Sequence, residues 1–281
     1  MSWQIGVKHR TGYVYEKPVT ASYNEARMTP LTGEGQQTSD ARVDVSPAAR
    51  SLRYTDYWGT IVDAFDVHQQ HTELLVTATS VVETARHPPP GDDDVGWDVL
   101  TDVVGSERYA ELLAPTRFVV VEDEVNATAA ELATASRPLD AGMAAVEWAH
   151  GALTHTRGAT TVRTTSAEAR AAAVGVCQDF SHVALAVLRA MQLPARYVSG
   201  YLYSATDAEL GETCTGESHA WVEFWAGRWV PVDPSSLKPV AERHIVVARG
   251  RDYGDVRPLS GIYSGGASQA LGVTVELTRL R

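Results

Sequence analysis

Hydrophobic and polar positions change pattern three times along this chain. From Trp3 to about Ala85, Val, Tyr, Thr and Ile gather in short runs, at 12–15, 39–45, 60–67 and 74–83. Such runs predict strands, and Pro18, Pro30, Gly33, Gly35 and Pro47 punctuate them. Asp56-Tyr57-Trp58-Gly59 reads as a turn that carries aromatics into the next strand. With no helix longer than a turn or two expected, residues 1–86 read as a small β-sandwich-like domain. His87-Pro88-Pro89-Pro90-Gly91-Asp92-Asp93-Asp94 follows, and three prolines with three carboxylates predict an extended, solvated linker over 87–97. The second pattern is helical. It predicts helices over 98–113 and 139–153, the latter with Leu139, Met143, Val146, Ala149 and Leu153 on one face until Gly158 breaks it. A short helix capped by Thr165 or Ser166 comes next.

The strongest helical signal lies further on. Phe180, Val183, Ala184, Val187, Leu188 and Met191 recur at i, i+3, i+4, i+7, i+8 and i+11, an apolar stripe. Leu193-Pro194 ends it, because the residue before a proline is pushed out of helical geometry. The third pattern is again extended: strands at 195–203, 218–224, 228–234 and 271–277, with a polar stretch over 204–216 read as an exposed loop. The whole reads as an α+β fold, with residues 98–281 forming the core domain and the last strand belonging to it.

Composition narrows the function. The chain has 281 residues, room for one large domain or two ordinary ones. Its 24 basic and 35 acidic residues leave a net charge of −11. That disfavours nucleic acid, anionic membrane and, more weakly, acidic substrates as partners. The N-terminus lacks the apolar segment of a signal peptide, and no apolar run is long enough to span a bilayer. Two cysteines, Cys177 and Cys214, are too few for a disulfide framework. A reducing, cytoplasmic setting is expected.

Candidate chemistry centres on Cys177, which falls in the first turn of the strongly patterned helix. Unpaired backbone N–H groups and the positive end of the helix dipole gather there, and both favour a thiolate and an oxyanion beside it. Gly175 sits before that turn, where a residue without a side chain permits close approach. Further on, a hairpin turning through Trp225-Ala226-Gly227 sets Phe224 opposite Arg228, and hence His219 opposite Asp233. Opposed side chains share a face about 5 Å apart, within reach of a hydrogen bond. The carboxylate would then orient the imidazole, whose other nitrogen would take the thiol proton. The same Cys, His and Asp types also ligate zinc, although no Cys-x-x-Cys or His-Glu-x-x-His anchors a metal site here. His182 reads as a core or helix-surface histidine, His150 and His155 are left without an assigned partner, and Trp221 and Trp229 read as packing residues.

Gly-Val-Cys-Gln-Asp-Phe at 175–180, Leu-Pro-Ala-Arg-Tyr-Val-Ser-Gly-Tyr at 193–201, Ser-His-Ala-Trp-Val-Glu at 218–223 and Val-Asp-Pro-Ser at 232–235 resemble the bacterial transglutaminase-like superfamily. His9–Tyr15, Asn24–Arg27 and Asp56–Gly59 are similar to the β-rich domain that often precedes that core, and His244–Val256 resembles its continuation. The resemblance implies a papain-like core with a catalytic triad of Cys177, His219 and Asp233, acting by acyl transfer through a thioester without metal or cofactor. It implies a peptide or protein substrate and, for bacterial members, hydrolysis before amine transfer; a noncatalytic peptide-binding module is the remaining alternative. Only the Cys177 N–H is assigned as an oxyanion donor, and the second donor is left without a residue. Arg251-Asp252-Tyr253 is a candidate lining of the cleft.

Overall fold

A computed structural model of the chain describes residues 2–33, 35–85, 95–104, 109–135, 137–205, 209–216 and 218–281. The first 85 residues build six strands: β1 (Ser2–Val19), β2 (Ala21–Ala26), β3 (Gln36–Ser46), β4 (Ser51–Thr55), β5 (Ile61–Val67) and β6 (His71–Ala85). Their alternation does what a period of two dictates: Trp3, Ile5, Val7 and His9 of β1 turn inward while their neighbours stay more exposed. The expected linker 87–97 lies mostly outside the described residues.

Four helices follow: α1 (Trp97–Val104), α2 (Ala110–Leu113), α3 (Asp123–Leu132) and α4 (Pro138–Ala152). Asp123 and Glu124 suit the positive end of α3, which buries Val125 and Ala129. A bridge then joins β7 (Thr154–His155) to β8 (Val174–Gly175) in parallel. Between them lies α5 (Ser166–Ala172), opened by a capping box in which Thr165 and Glu168 satisfy each other's backbone N–H. Next come α6 (Cys177–Ala190), β9 (Ala195–Leu202), β10 (Thr213–Gly216), β11 (Ser218–Trp225), β12 (Trp229–Val232), β13 (His244–Gly250), β14 (Leu259–Ser264) and β15 (Ser268–Arg279).

Helix α6 is the axis of the core. Every residue from Gln178 to Arg189 is buried, so the apolar stripe is only one side of a helix enclosed on all sides. It packs on α3, α4, α5 and β11. Its polar side chains are correspondingly bonded. Ser181 Oγ donates to the Cys177 carbonyl at 2.8 Å. The Arg189 guanidinium donates to the carbonyls of Ala114, Ala195 and Arg251. The helix ends at Ala190, with Gln192 in the left-handed region, φ 63°, just before Leu193-Pro194.

Beneath α6 runs a four-stranded sheet in the order β12-β11-β9-β13. Glu223 of β11 is buried and clamped by two guanidiniums: Arg249 Nε and Nη2 at 3.0 and 3.1 Å, and Arg196 Nε at 2.5 Å. Burial alone would raise this carboxyl, but the two arginines hold it below its usual range. Removing one partner of such a group leaves uncompensated buried charge, at a cost of about 3–5 kcal/mol. A Glu223→Ala chain is expected to melt roughly 10 °C lower, read by calorimetry.

The last two strands correct the sequence reading. The strand expected over 271–277 is read as part of the core, yet β15 pairs with β1 through ten registered residues, and β14, which the sequence reading lacks, pairs with β2. The chain therefore returns to complete two sheets, ordered β10-β15-β1-β6-β3 and β14-β2-β5-β4. Tyr15, Phe65, Leu74, Val76 and Leu259, drawn from both sheets, share one apolar cluster. Burial explains the return: without β15, the inward residues of β1 would face water, and Val275 and Leu277 are themselves fully buried. The polar stretch read as a loop also contains a strand, β10, held by β15.

Candidate active site

Cys177 is the first residue of α6 and is partly buried. Its approach is fixed by Asp179, whose Oδ2 accepts the Val176 N–H at 2.8 Å and the Thr160 hydroxyl at 2.6 Å. A Cβ on Gly175 would come within 2.6 Å of Asp179 Cβ, which is why a side chain is excluded there. The β7–β8 bridge, with the Thr156 N–H on the Gly175 carbonyl at 2.9 Å, ties the same turn to the 154–160 segment.

His219 enters from β11. Its Nε2 lies 2.9 Å from Asp233 Oδ2, and its ring shares a cleft with the Cys177 side chain, close enough for that side chain to help raise the His219 pKa. The three predicted residues therefore meet. The hairpin register that predicts this differs by two residues. Trp225 pairs with Trp229 around a loop of Ala226, Gly227 and Arg228, and Val222 pairs with Val232. Gly227 takes the left-handed conformation, φ 87°. Continued, this register sets Asp233 opposite Trp221 rather than His219. Two residues along a strand restore the same face, so Asp233 stays diagonal to His219, and the turn after Val232 brings it into contact.

Asp233 is held by more than the imidazole. The Ser235 N–H and Ser235 Oγ donate to Oδ1 at 2.9 and 2.7 Å, and Ser236 Oγ donates to Oδ2 at 2.7 Å. His150 Nδ1 donates to the Pro234 carbonyl at 2.9 Å and pins this turn to α4, a partner the sequence did not supply. Burial would raise the Asp233 carboxyl, yet the bond and charge of His219 with the two serines hold it well below the carboxylate range. Burial likewise opposes a charged His219, but the hydrogen bonds to Asp233 and Cys177 outweigh it and push the pKa up to about 10.

Comparison with known proteins places this geometry. Residues 5–83 match the model of the bacterial transglutaminase-like N-terminal region, and residues 126–234 match that of the transglutaminase-like superfamily. An uncharacterized protein of Mycobacterium leprae (strain TN) is 46% identical over 99% of this chain and 99% of its own. One of Mycobacterium tuberculosis (strain ATCC 25618 / H37Rv) is 35% identical over 96% of this chain and 91% of its own. The chain belongs to the transglutaminase-like superfamily. Its transglutaminase-like fold is shared with the crystal structure of a putative cysteine protease from Cytophaga hutchinsonii, at a TM-score of 0.80 and 20% identity over 100% of this chain and 92% of that one.

In this transglutaminase-like core Cys177 and His219 open on a cleft of about 430 Å³. Cys177, Gln178, Tyr197, Ser199, His219 and Tyr253 line it, with His155, Arg157 and Val162 also on its wall. Of the Arg251–Tyr253 segment, only Tyr253 reaches the lining; Arg251 pairs with Asp255 at 2.9 Å. Cys214, expected on an exposed loop, lies on β10 and lines the same cleft. His182 is a core residue, as read: it is fully buried, stacks on Phe118 and accepts the Tyr253 N–H at 3.2 Å. Trp221 is fully buried and stacks on His219, with ring centroids 6.2 Å apart.

His244 escaped the sequence reading. It stands 6.2 Å from His219 between ring centroids, and ligand atoms of His219, Asp233 and His244 lie within 4.8 Å of one another. Those atoms are close enough for a cation, but their protons are set against it. His244 Nδ1 accepts the Ala241 N–H at 3.2 Å, so the neutral ring carries its proton on Nε2. Nε2 of His219 is engaged with Asp233. Burial lowers the His244 pKa to about 3 and keeps that ring uncharged beside His219.

Proposed function

We propose that the chain is a cysteine-nucleophile enzyme that transfers an acyl group from an amide or peptide bond through a Cys177 thioester, with water as the favoured acceptor. The observation that carries this reading is the contact chain from the Cys177 side chain through His219 to Asp233. His219 takes the thiol proton, sulfur attacks the carbonyl carbon, and the imidazolium returns the proton to the leaving amine. Water, deprotonated by the same imidazole, then releases the acid. The fold's likeness to a putative cysteine protease supports hydrolysis over transfer to an amine. A peptide or protein substrate and a cytoplasmic setting that keeps both thiols reduced complete the proposal.

Two measurements test it. Iodoacetamide at one equivalent should alkylate Cys177 ahead of Cys214, because Cys177 sits at the start of α6 beside His219; peptide mass mapping reads the site. Preferential labelling of Cys214 would sink the nucleophile assignment. A fluorescent primary amine offered with casein should not be incorporated; incorporation would establish amine transfer instead.

A further inference from the structure

Of the tyrosines at 197, 201 and 203, two have their hydroxyls satisfied. Tyr201 bonds His9 Nδ1 at 2.9 Å, and Tyr203 donates to the Glu212 carbonyl at 3.0 Å. Tyr197 is as deeply placed, 2% exposed, yet its hydroxyl has no hydrogen-bond partner among the described residues. Nor is that oxygen sealed in the interior like the orphaned nitrogen of Trp221, because Tyr197 lines the cleft that holds Cys177 and His219. A buried phenol normally finds a partner for its O–H. Here the unpartnered hydroxyl belongs to a residue that lines the cleft beside Cys177.

We propose that the Tyr197 hydroxyl is the second donor to the oxyanion formed when Cys177 attacks a substrate carbonyl, making Tyr197 a catalytic residue. This rests on the acyl-transfer reading above. As the Sγ–C bond forms, the carbonyl π pair moves onto oxygen. That oxygen accepts one hydrogen bond from the Cys177 N–H at the start of α6 and one from Tyr197 Oη, which keeps its proton throughout. The C–O double bond reforms as the C–N bond breaks, and the amine leaves with the proton from His219.

The placement is rigid, as an oxyanion donor must be. The Tyr197 backbone is paired on both sides, with Val222 of β11 and Gly250 of β13. Its ring packs on His182, with centroids 5.2 Å apart, and His182 is fixed by the Tyr253 N–H. Burial raises the Tyr197 pKa well above its ordinary value, so the hydroxyl stays protonated and available to donate.

Tyr197→Phe separates this role from packing, because it removes one oxygen and leaves the ring. The probes are p-nitrophenyl acetate, whose acylation of Cys177 passes through an oxyanion, and iodoacetamide, whose displacement at carbon does not. The expected result is an acylation burst slowed about a hundredfold or more, with alkylation within twofold of wild type. Equal slowing of both reactions would assign Tyr197 to packing, and an unchanged burst would remove it from the oxyanion site; either overturns the proposal while leaving Cys177 as the nucleophile. A wild-type chain that alkylates but never acylates overturns the acyl-transfer reading as well.

Discussion

A Cys177→Ala chain is expected to fold like the wild type and to lose acyl transfer by at least about 10⁴-fold, the scale seen when a triad nucleophile is removed. The two halves of this expectation have separate causes. Ala at 177 removes only the sulfur atom from a side chain that already opens on the cleft, so no dry cavity is created and stability should change by less than about 1 kcal/mol. Asp179 still accepts the Val176 N–H and still closes the turn. The chemistry has no substitute: the other thiol, Cys214, lies on β10 and, among the described residues, makes no hydrogen bond to His219. Turnover of p-nitrophenyl acetate, beside a thermal melt, gives both numbers. Retained turnover would end the proposed mechanism.

Asp233→Asn should cost about 10³-fold or more in turnover, a larger loss than an isosteric change suggests. The Ser235 N–H and Ser235 hydroxyl both point at Oδ1, so an amide there must present its oxygen to them. Its NH₂ then takes the place of Oδ2 and faces His219 Nε2. Donor meets ring nitrogen, the ring proton is driven to the Cys177 side, and the base is in the wrong tautomer. The pH dependence gives a second readout. Because the His219 pKa is pushed up to about 10 in the folded chain, the imidazolium that would return the proton to the leaving group is lost as pH rises through that value. Without the carboxylate, this alkaline limb should move down towards the ordinary histidine value of 6.5. Stability follows the same sign. A raised folded pKa contributes fully below 6.5 and fades as pH rises through about 10, so wild type should lose stability across that window while the Asn chain stays flatter. Denaturant melts at pH 6 and pH 10 measure the difference.

What could be read in the sequence was what short stretches decide. The stripe from Phe180 to Met191 and the Pro194 stop give α6 almost to the residue, because 3.6-fold periodicity and proline sterics act locally. The Cys177–His219–Asp233 site was legible through parity: the hairpin step was misjudged, yet an error of two residues leaves a side chain on its face. Strands β10, β14 and β15 were misassigned or missed because their partners lie far away in sequence. Val275 and Leu277 alternate like any half-buried strand, and nothing within them says that β1 rather than β13 is the neighbour. His244 and Tyr197 belong to the same group. Both acquire meaning only from what the fold sets beside them, and in isolation each is an ordinary strand residue.

The pairing of β15 with β1 has a consequence for synthesis. Leu280 donates to the Gln4 carbonyl at 2.7 Å, and β15 also holds β10, which directly precedes the strand bearing His219. A ribosome releases Cys177, His219 and Asp233 well before residues 268–279. Until those emerge, the nascent chain lacks the strand that holds β10, and with it one wall of the cleft that Cys214, Thr215 and Gly216 line.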